Sequence, residues 1–282
     1  MPGSGVETRW RLAHDICKLG LRRGDTVLVH ASLSSIGWVD GGADTVVRAV
    51  REIIGPEGTL VVPTMTADNS DPSRWGITRG EIVPDERWPA LRDSVSAFDP
   101  ASTPSYGMGA IAETVRTWKG AVRSAHPQTS FAAVGHDAEA LMAGHDRRCH
   151  LGRASPLAKL LKRRARVLLV GVPWDVCTVF HYAEYEVAFP RYQEYACVVM
   201  TAGGREWFRY FDVVLDASRF GELGAAFEAG DDGRIRRGRV GEAECRLFGA
   251  RAAVAFAVGW LGEHGLGPEP TADAGAGANW LA

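Results

Sequence analysis

His181 and Glu184 stand three residues apart in Gly171-Val-Pro-Trp-Asp-Val-Cys-Thr-Val-Phe-His-Tyr-Ala-Glu-Tyr185, just after the apolar run 167–170. On a helix, residues at i and i+3 share a face. A buried strand that ends in a turn and then delivers an imidazole beside a carboxylate can present a proton acceptor, since histidine is readily tuned to act as a base near neutral pH. An isolated His-x-x-Glu pair also serves as a plain surface hydrogen bond, and it is not the His-Glu-x-x-His of a zinc protease. Two more histidines have suggestive settings. His30 ends the β-branched run 26–30 and is followed by Ala31-Ser32-Leu33-Ser34-Ser35. Loops after the carboxyl ends of strands are where α/β sheets hold ligands, although a histidine bonded to backbone would look the same. His126 precedes Pro127, which confines it to extended backbone and fixes its direction; it could equally tie a turn together. The carboxylates Asp68, Asp71, Glu113 and Glu228 could line a site for a cationic ligand or simply solvate a surface.

The elements that must position these groups alternate in type. Leu12, Ile16 and Leu19 have helical spacing and Gly20 suits a stop, which predicts a helix over 8–20. Strand 26–30, an apolar helical face over 45–54 and strand 59–63 follow, the order of a layered α/β domain. Periodicity then fades from Thr64 to Pro104, and so long a segment inside a compact domain is usually functional or mobile. Helices are expected over 109–118, 137–143, 156–164, 220–227 and 250–261, and strands over 129–134 and 167–172. Residues 195–200 and 206–214 read as a hairpin around Thr201-Ala-Gly-Gly204. The whole reads as one α/β/α layered domain around a central mixed sheet, residues 1–265, with a long irregular insertion and a Gly/Ala/Pro-rich tail over 266–282 that is expected to be disordered.

Composition narrows the function classes. With 46% hydrophobic residues and a formal charge of -2, the 282-residue chain is an ordinary globular protein with no call for nucleic acid as a partner. No apolar run approaches a bilayer span, and the first residues lack the pattern of a signal peptide. Five scattered cysteines without CxxC spacing argue for reduced thiols in the cytoplasm and against a zinc site, so no metal is expected. The basic run from Lys159 to Arg166 reads as the solvated end of a helix, with a contact to a cofactor phosphate as the alternative. The glycines of Gly37-Trp-Val-Asp-Gly41-Gly42 fit neither a dinucleotide nor a Walker loop.

Several segments, in order from about residue 8 to about residue 262, resemble one family, the aminoglycoside 3-N-acetyltransferases. They are Gly24-Asp-Thr-Val-Leu-Val-His-Ala-Ser-Leu-Ser-Ser-Ile-Gly37, Gly58-Thr-Leu-Val-Val-Pro-Thr64, Asp71-Pro-Ser-Arg-Trp75, Phe98-Asp-Pro-Ala-Ser-Thr-Pro104, Met108-Gly-Ala-Ile-Ala-Glu113, His126-Pro-Gln-Thr-Ser-Phe-Ala-Ala-Val-Gly135 and the Gly171-to-Glu184 stretch. The resemblance implies acetyl-CoA-dependent transfer to the 3-amine of a 2-deoxystreptamine ring, on a fold with the pantetheine arm in a tunnel. It matches His181 to the catalytic histidine, with Glu184 in the same motif, and His30 and His126 to two further active-site histidines. Ser32, Leu33 and Ser34, and the loop Ser105, Gly107, Met108, Gly109 and Ala110, correspond to cofactor-contacting segments. Asp68, Asp71, Glu113, Glu184 and Glu228 supply the acidic residues for a polycationic substrate, and either Glu184 or Glu228 would orient His181. Trp174 stands where a smaller or polar residue is expected in many relatives, which bears on substrate choice. The implied reaction is direct transfer in a ternary complex, by a monomer or homodimer. A different amine acceptor and a catalytically silent binding protein are the competing readings.

Overall fold

The computed structural model describes residues 5–266. Helix α1 (Arg9–Leu19) starts at Thr8, whose hydroxyl accepts from the Arg11 N–H, and stops at Gly20 in the left-handed region at φ 103. Strand β1 (Thr26–Ala31), helix α2 (Gly42–Ile54) and strand β2 (Thr59–Pro63) follow. Then come short helices α3 (Trp75–Thr78) and α4 (Trp88–Ser94), α5 (Gly109–Arg116), β3 (Val122–Arg123), β4 (Phe131–Gly135), α6 (Ala138–Met142) and α7 (Pro156–Lys162). The C-terminal half runs β5 (Arg166–Val170), α8 (Phe180–Glu184), β6 (Tyr192–Thr201), β7 (Gly204–Val213), α9 (Phe220–Ala229), β8 (Arg236–Val240), β9 (Ala243–Gly249) and α10 (Ala250–His264).

Seven strands form one mixed sheet in the order β3-β4-β2-β1-β5-β9-β8. The parallel trio β2-β1-β5 is at its centre, with Leu28 opposite both Val61 and Val167, and the antiparallel strands β4 and β9 flank it. Side chains alternate across the pleat, so a strand apolar at every position must be covered on both faces. Val27, Val29, Leu60, Val62 and Leu168 pack against α1, α2 and α5 on one side. Leu28, Val61, Phe131, Val167 and Leu169 pack against α6 to α10 on the other. The expected α/β/α sandwich is therefore present, with β1 and β5 ending side by side in its middle.

Two features depart from the sequence reading. The segment 64–104 is not simply irregular: α3 and α4 bring Trp75, Val83 and Val95 against Val198 of the β6–β7 hairpin. The Asn69 amide completes this join, donating to Val198 O at 2.9 Å and accepting from Val198 N at 2.7 Å. The insertion and hairpin thus form a small second layer over one end of the sandwich. The sheet also gains an edge that was not expected, β8, whose Arg-rich sequence shows none of the alternation of a half-buried strand. The expected tail falls, after Leu266, outside the described residues.

Candidate active site

The helix that carries His181 and Glu184 is aimed by the turn after β5. Gly171 has φ 61, and a Cβ there would lie 2.3 Å from the Ser35 Cβ, so only glycine lets the end of β5 touch the loop after β1. The Ser35 hydroxyl donates to Gly171 O at 3.0 Å and pins the two loops together. A 3-10 turn over Trp174–Val176 then leads into α8, which buries Phe180 and Ala183 in the core.

On that helix His181 and Glu184 share a face, as their spacing predicts. His181 is 4% exposed and Glu184 1%. His181 Nδ1 and Glu184 Oε2 are 2.8 Å apart, and the other carboxylate oxygen accepts from the Asp216 N–H at 2.9 Å. With a carboxylate on Nδ1 the hydrogen sits there, and Nε2 is left with a lone pair and no protein partner among the described residues. Burial raises the Glu184 carboxyl, while His181 and the Asp216 N–H act in the opposite direction. Phe220 closes over the imidazole at 4.6 Å between ring centroids.

Two cavities open near this helix, and neither is lined by His181 or Glu184 themselves. The first, about 360 Å³, lies between the loop after β1 and the first turn of α5. His30, Ser32, Leu33 and Ser34 form one wall, and Gly107, Met108, Gly109 and Ala110 the other. Of the residues expected to contact a cofactor only Ser105 is missing, because its N–H and hydroxyl both donate to Glu113 Oε2, at 3.1 and 2.7 Å. The wall is completed by Thr178, whose carbonyl accepts from the His181 N–H. Burial holds His30 uncharged, with its pKa lowered to about 3, and its Nε2 has no partner. None of the basic run lines this cavity: Lys159 caps the carbonyls of Ala140 and Ala143, and Arg163 pairs with Asp137.

The second, a narrow cleft of only about 30 Å³, opens between the insertion and the hairpin. Ser70, Asp71 and Thr78 face Gln193 and Tyr195 across it, with Gln128 and His150 at its inner end. Leu215, immediately before Asp216, also lines it, so the segments holding the dyad belong to both cavities.

His126 lines neither. Its Nδ1 accepts from the N–H groups of Gln128 and Thr129, both at 3.1 Å, and its ring lies between those of His145 and His150 at 4.8 and 4.7 Å. It organises the wall behind the second cavity. The acidic residues are also largely spoken for. Asp71 reaches the second cavity but is held by both arms of Arg92, at 2.8 and 2.9 Å. Glu113 is bound by Arg116 and Ser105, which outweigh its partial burial and bring its pKa down to about 2. Asp68 is partly buried, and burial raises its carboxyl. Glu228 does not partner His181. It accepts from the Trp174 indole at 3.0 Å and pairs with Arg237 and Arg246 along a separate cleft. Trp174 itself is buried among Phe180, Phe227 and Phe248, so its bulk fills the core and touches neither cavity.

Sequence reasoning missed His150, Asp212, Tyr210 and Tyr195. Asp212 and Tyr210 sit on a strand whose alternation gives no hint of chemistry, and the density of His126, His145 and His150 was the one available signal.

With the geometry in place, comparison with known proteins decides the family. The profile of the family described as aminoglycoside 3-N-acetyltransferase matches residues 28–262. The chain belongs to that family. Among aminoglycoside 3-N-acetyltransferase relatives, the SPbeta prophage-derived aminoglycoside N(3')-acetyltransferase-like protein YokD of Bacillus subtilis (strain 168) is 40% identical over 90% of this chain and 92% of its own. Its crystal structure superposes with a TM-score of 0.87 over 93% of this chain and 96% of the other, at 38% identity. Aminoglycoside N(3)-acetyltransferase VII of Streptomyces paromomycinus is 39% identical over 94% of each chain. AAC-IIIb, solved as a binary complex with CoASH, matches with a TM-score of 0.80 at 32% identity, over 94% of this chain and 100% of that one. The α/β/α fold expected from sequence is thus shared with enzymes named for this transfer.

Proposed function

We propose that this aminoglycoside 3-N-acetyltransferase family member transfers acetyl from acetyl-CoA to the 3-amine of a 2-deoxystreptamine aminoglycoside, directly and with His181 as general base. The observation that carries the reading is the buried Glu184–His181 pair with Nε2 unpartnered among the described residues, on a helix preceded by Thr178 of the first cavity and bonded through Glu184 to Asp216, next to Leu215 of the second. The first cavity suits the acyl donor: a long narrow chain passes between small residues, and the unpartnered His30 offers a polar group inside it. The second offers an acceptor converging hydroxyl, amide and carboxylate groups, and has to widen to admit an aminoglycoside. When bound, the thioester supplies an activated acetyl group. His181 Nε2 takes the proton that the amine must lose as the C–N bond forms, and passes it to the thiolate released when the C–S bond breaks. Positioned proton transfer of this kind contributes roughly 100- to 10,000-fold. Glu184 holds the imidazole in the right tautomer and stabilises its cation. Cys177 takes no part: it is fully buried, and burial pushes its thiol up, away from the reactive thiolate. The unpaired cysteines among the described residues fit the reducing cytoplasm, where resistance or self-protection would operate.

One observation favours a second acceptor class. Asp71 is neutralised by Arg92, and the cationic Arg74 lines the same cavity with its guanidinium on Gln193 Oε1 at 2.5 Å. A cavity so balanced also suits a less highly charged amine. A CoA-release assay over a panel of amines, with mass spectrometry of the products, separates the two. Gain of one acetyl group on gentamicin- and kanamycin-type compounds, lost when the 3-amine is absent, supports the aminoglycoside reading. Turnover confined to other amines would replace it, and no turnover with any amine would leave a binding protein.

A further inference from the structure

The dyad is not the only histidine–carboxylate pair beside the second cavity. His150 Nδ1 lies 2.8 Å from Asp212 Oδ2, and the His150 N–H donates to the same oxygen at 2.7 Å. Its Nε2 is 2.9 Å from the Tyr210 hydroxyl, which in turn donates to Gln128 Oε1 at 2.6 Å. Burial lowers the His150 pKa, so the neutral ring carries its one hydrogen on Nδ1 toward Asp212, and Nε2 is the acceptor beside the Tyr210 hydroxyl, whose single proton is shared between Gln128 and His150. Both ring nitrogens are therefore engaged, and His150 cannot serve as a second base for the acceptor. Its ring instead forms a wall, 4.2 Å from the Tyr195 ring that lines the same cavity.

The other partner of Asp212 gives this pair its significance. Asp212 Oδ2 also accepts from the Tyr185 hydroxyl at 2.7 Å. Tyr185 directly follows Glu184 and caps α8. A Cβ on Gly152 would lie 2.4 Å from the Tyr185 ring, so the loop carrying His150 is packed tightly onto that side chain. Burial opposes ionisation of Asp212, but His150 and Tyr185 outweigh it and hold the carboxyl below the usual range. One buried oxygen on β7 thus grips the acceptor wall through His150 and the catalytic helix through Tyr185.

We propose that Asp212 is a positioning residue that couples acceptor binding to the orientation of His181, through two separable arms. The His150 arm shapes the acceptor cavity, and the Tyr185 arm fixes the roll of α8 and so the direction of His181 Nε2. A small misorientation of a base is enough to lower the chemical step substantially. The proposal rests on His181 being the base.

The two arms predict different kinetic signatures. Tyr185→Phe removes one hydroxyl and should lower kcat about tenfold while the Kd for gentamicin, measured by calorimetry, stays within about twofold. His150→Gln should act mainly on the acceptor, weakening gentamicin binding about tenfold and changing kcat less than Tyr185→Phe does. Asp212→Asn should show both defects, and none of the three should move the KM for acetyl-CoA beyond about twofold. A merely structural role would lower the melting temperature without this split between kcat and acceptor Kd. The coupling is overturned if Tyr185→Phe keeps wild-type kcat, or if His150→Gln weakens acetyl-CoA as much as gentamicin. Tyr185→Phe decides the matter even if Asp212→Asn fails to fold. His181→Ala is assayed alongside: if it retains turnover the base assignment fails, whereas a dead His181→Ala beside a fully active Tyr185→Phe sinks the coupling alone.

Discussion

Glu184 divides its carboxylate between two partners, the His181 imidazole at 2.8 Å and the Asp216 N–H at 2.9 Å. The backbone bond fixes the carboxylate, and the carboxylate then fixes the ring. Glu184→Gln keeps the shape but removes the charge that stabilises a protonated imidazole. Steady-state kinetics should show kcat lower by about 10- to 1000-fold, with the KM for acetyl-CoA little changed. Glu228→Gln gives the contrast, because its partners are Trp174, Arg237 and Arg246. It should lower stability by about 1 kcal/mol and spare turnover; the reverse ranking of the two variants would return Glu228 to the site.

The cavity proposed for the acyl donor can be blocked without touching the core. Ala110 is exposed and lines that cavity at the start of α5. Ala110→Trp should raise the KM for acetyl-CoA about tenfold or more while the acceptor Kd holds. A rise in acceptor Kd alone would mean that the two cavities have been assigned the wrong way round.

Three buried histidines set the acid limit of stability. Burial lowers the pKa of His30 to about 3 and of His145 to about 4, and puts His126 well below its ordinary value, with the neighbouring histidines adding to the effect. Below pH 6.5 the unfolded chain takes up protons on these residues and the folded chain does not, so these groups are neutral to stability above that pH and destabilising below it. Between about pH 6.5 and 4 each should steepen the loss by up to about 1.4 kcal/mol per pH unit. Urea unfolding at pH 7, 6 and 5 measures this slope, and stability that stays flat over that range would contradict it.

Gly224 offers a test of packing in which the usual sign reverses. Glycine to alanine inside a helix ordinarily gains about 1 kcal/mol. On α9, however, a Cβ at Gly224 would lie 2.0 Å from Trp174 Cγ, in a core where neither backbone nor indole can give way easily. Gly224→Ala should therefore destabilise by about 3 kcal/mol in chemical denaturation. A stabilised variant would show that the indole has room to move.

The sequence alone determined the layered architecture, because strands apolar at every position, such as 59–63 and 167–170, cannot be satisfied unless helices cover both faces. Helical spacing also put His181 and Glu184 on one face, while the choice between Glu184 and Glu228 as the partner of His181 stayed open until the fold was seen. The loop after β1 drew notice by its place at a strand end, whereas the loop before α5 was singled out only through the family resemblance; both line the first cavity. Distant charge partners were not legible. Glu228 looks as available in sequence as Glu184, and only the fold brings Arg237 and Arg246 against it, whereas Arg116 is one helical turn from Glu113. The second cavity was equally hidden, since its walls come from the insertion, from His150 and from the β6–β7 hairpin. Asp212 meets His150 and Tyr185 across 62 and 27 residues of chain. Contacts at such separation leave no period or motif behind; they exist because the sheet and hairpin bring distant strands together.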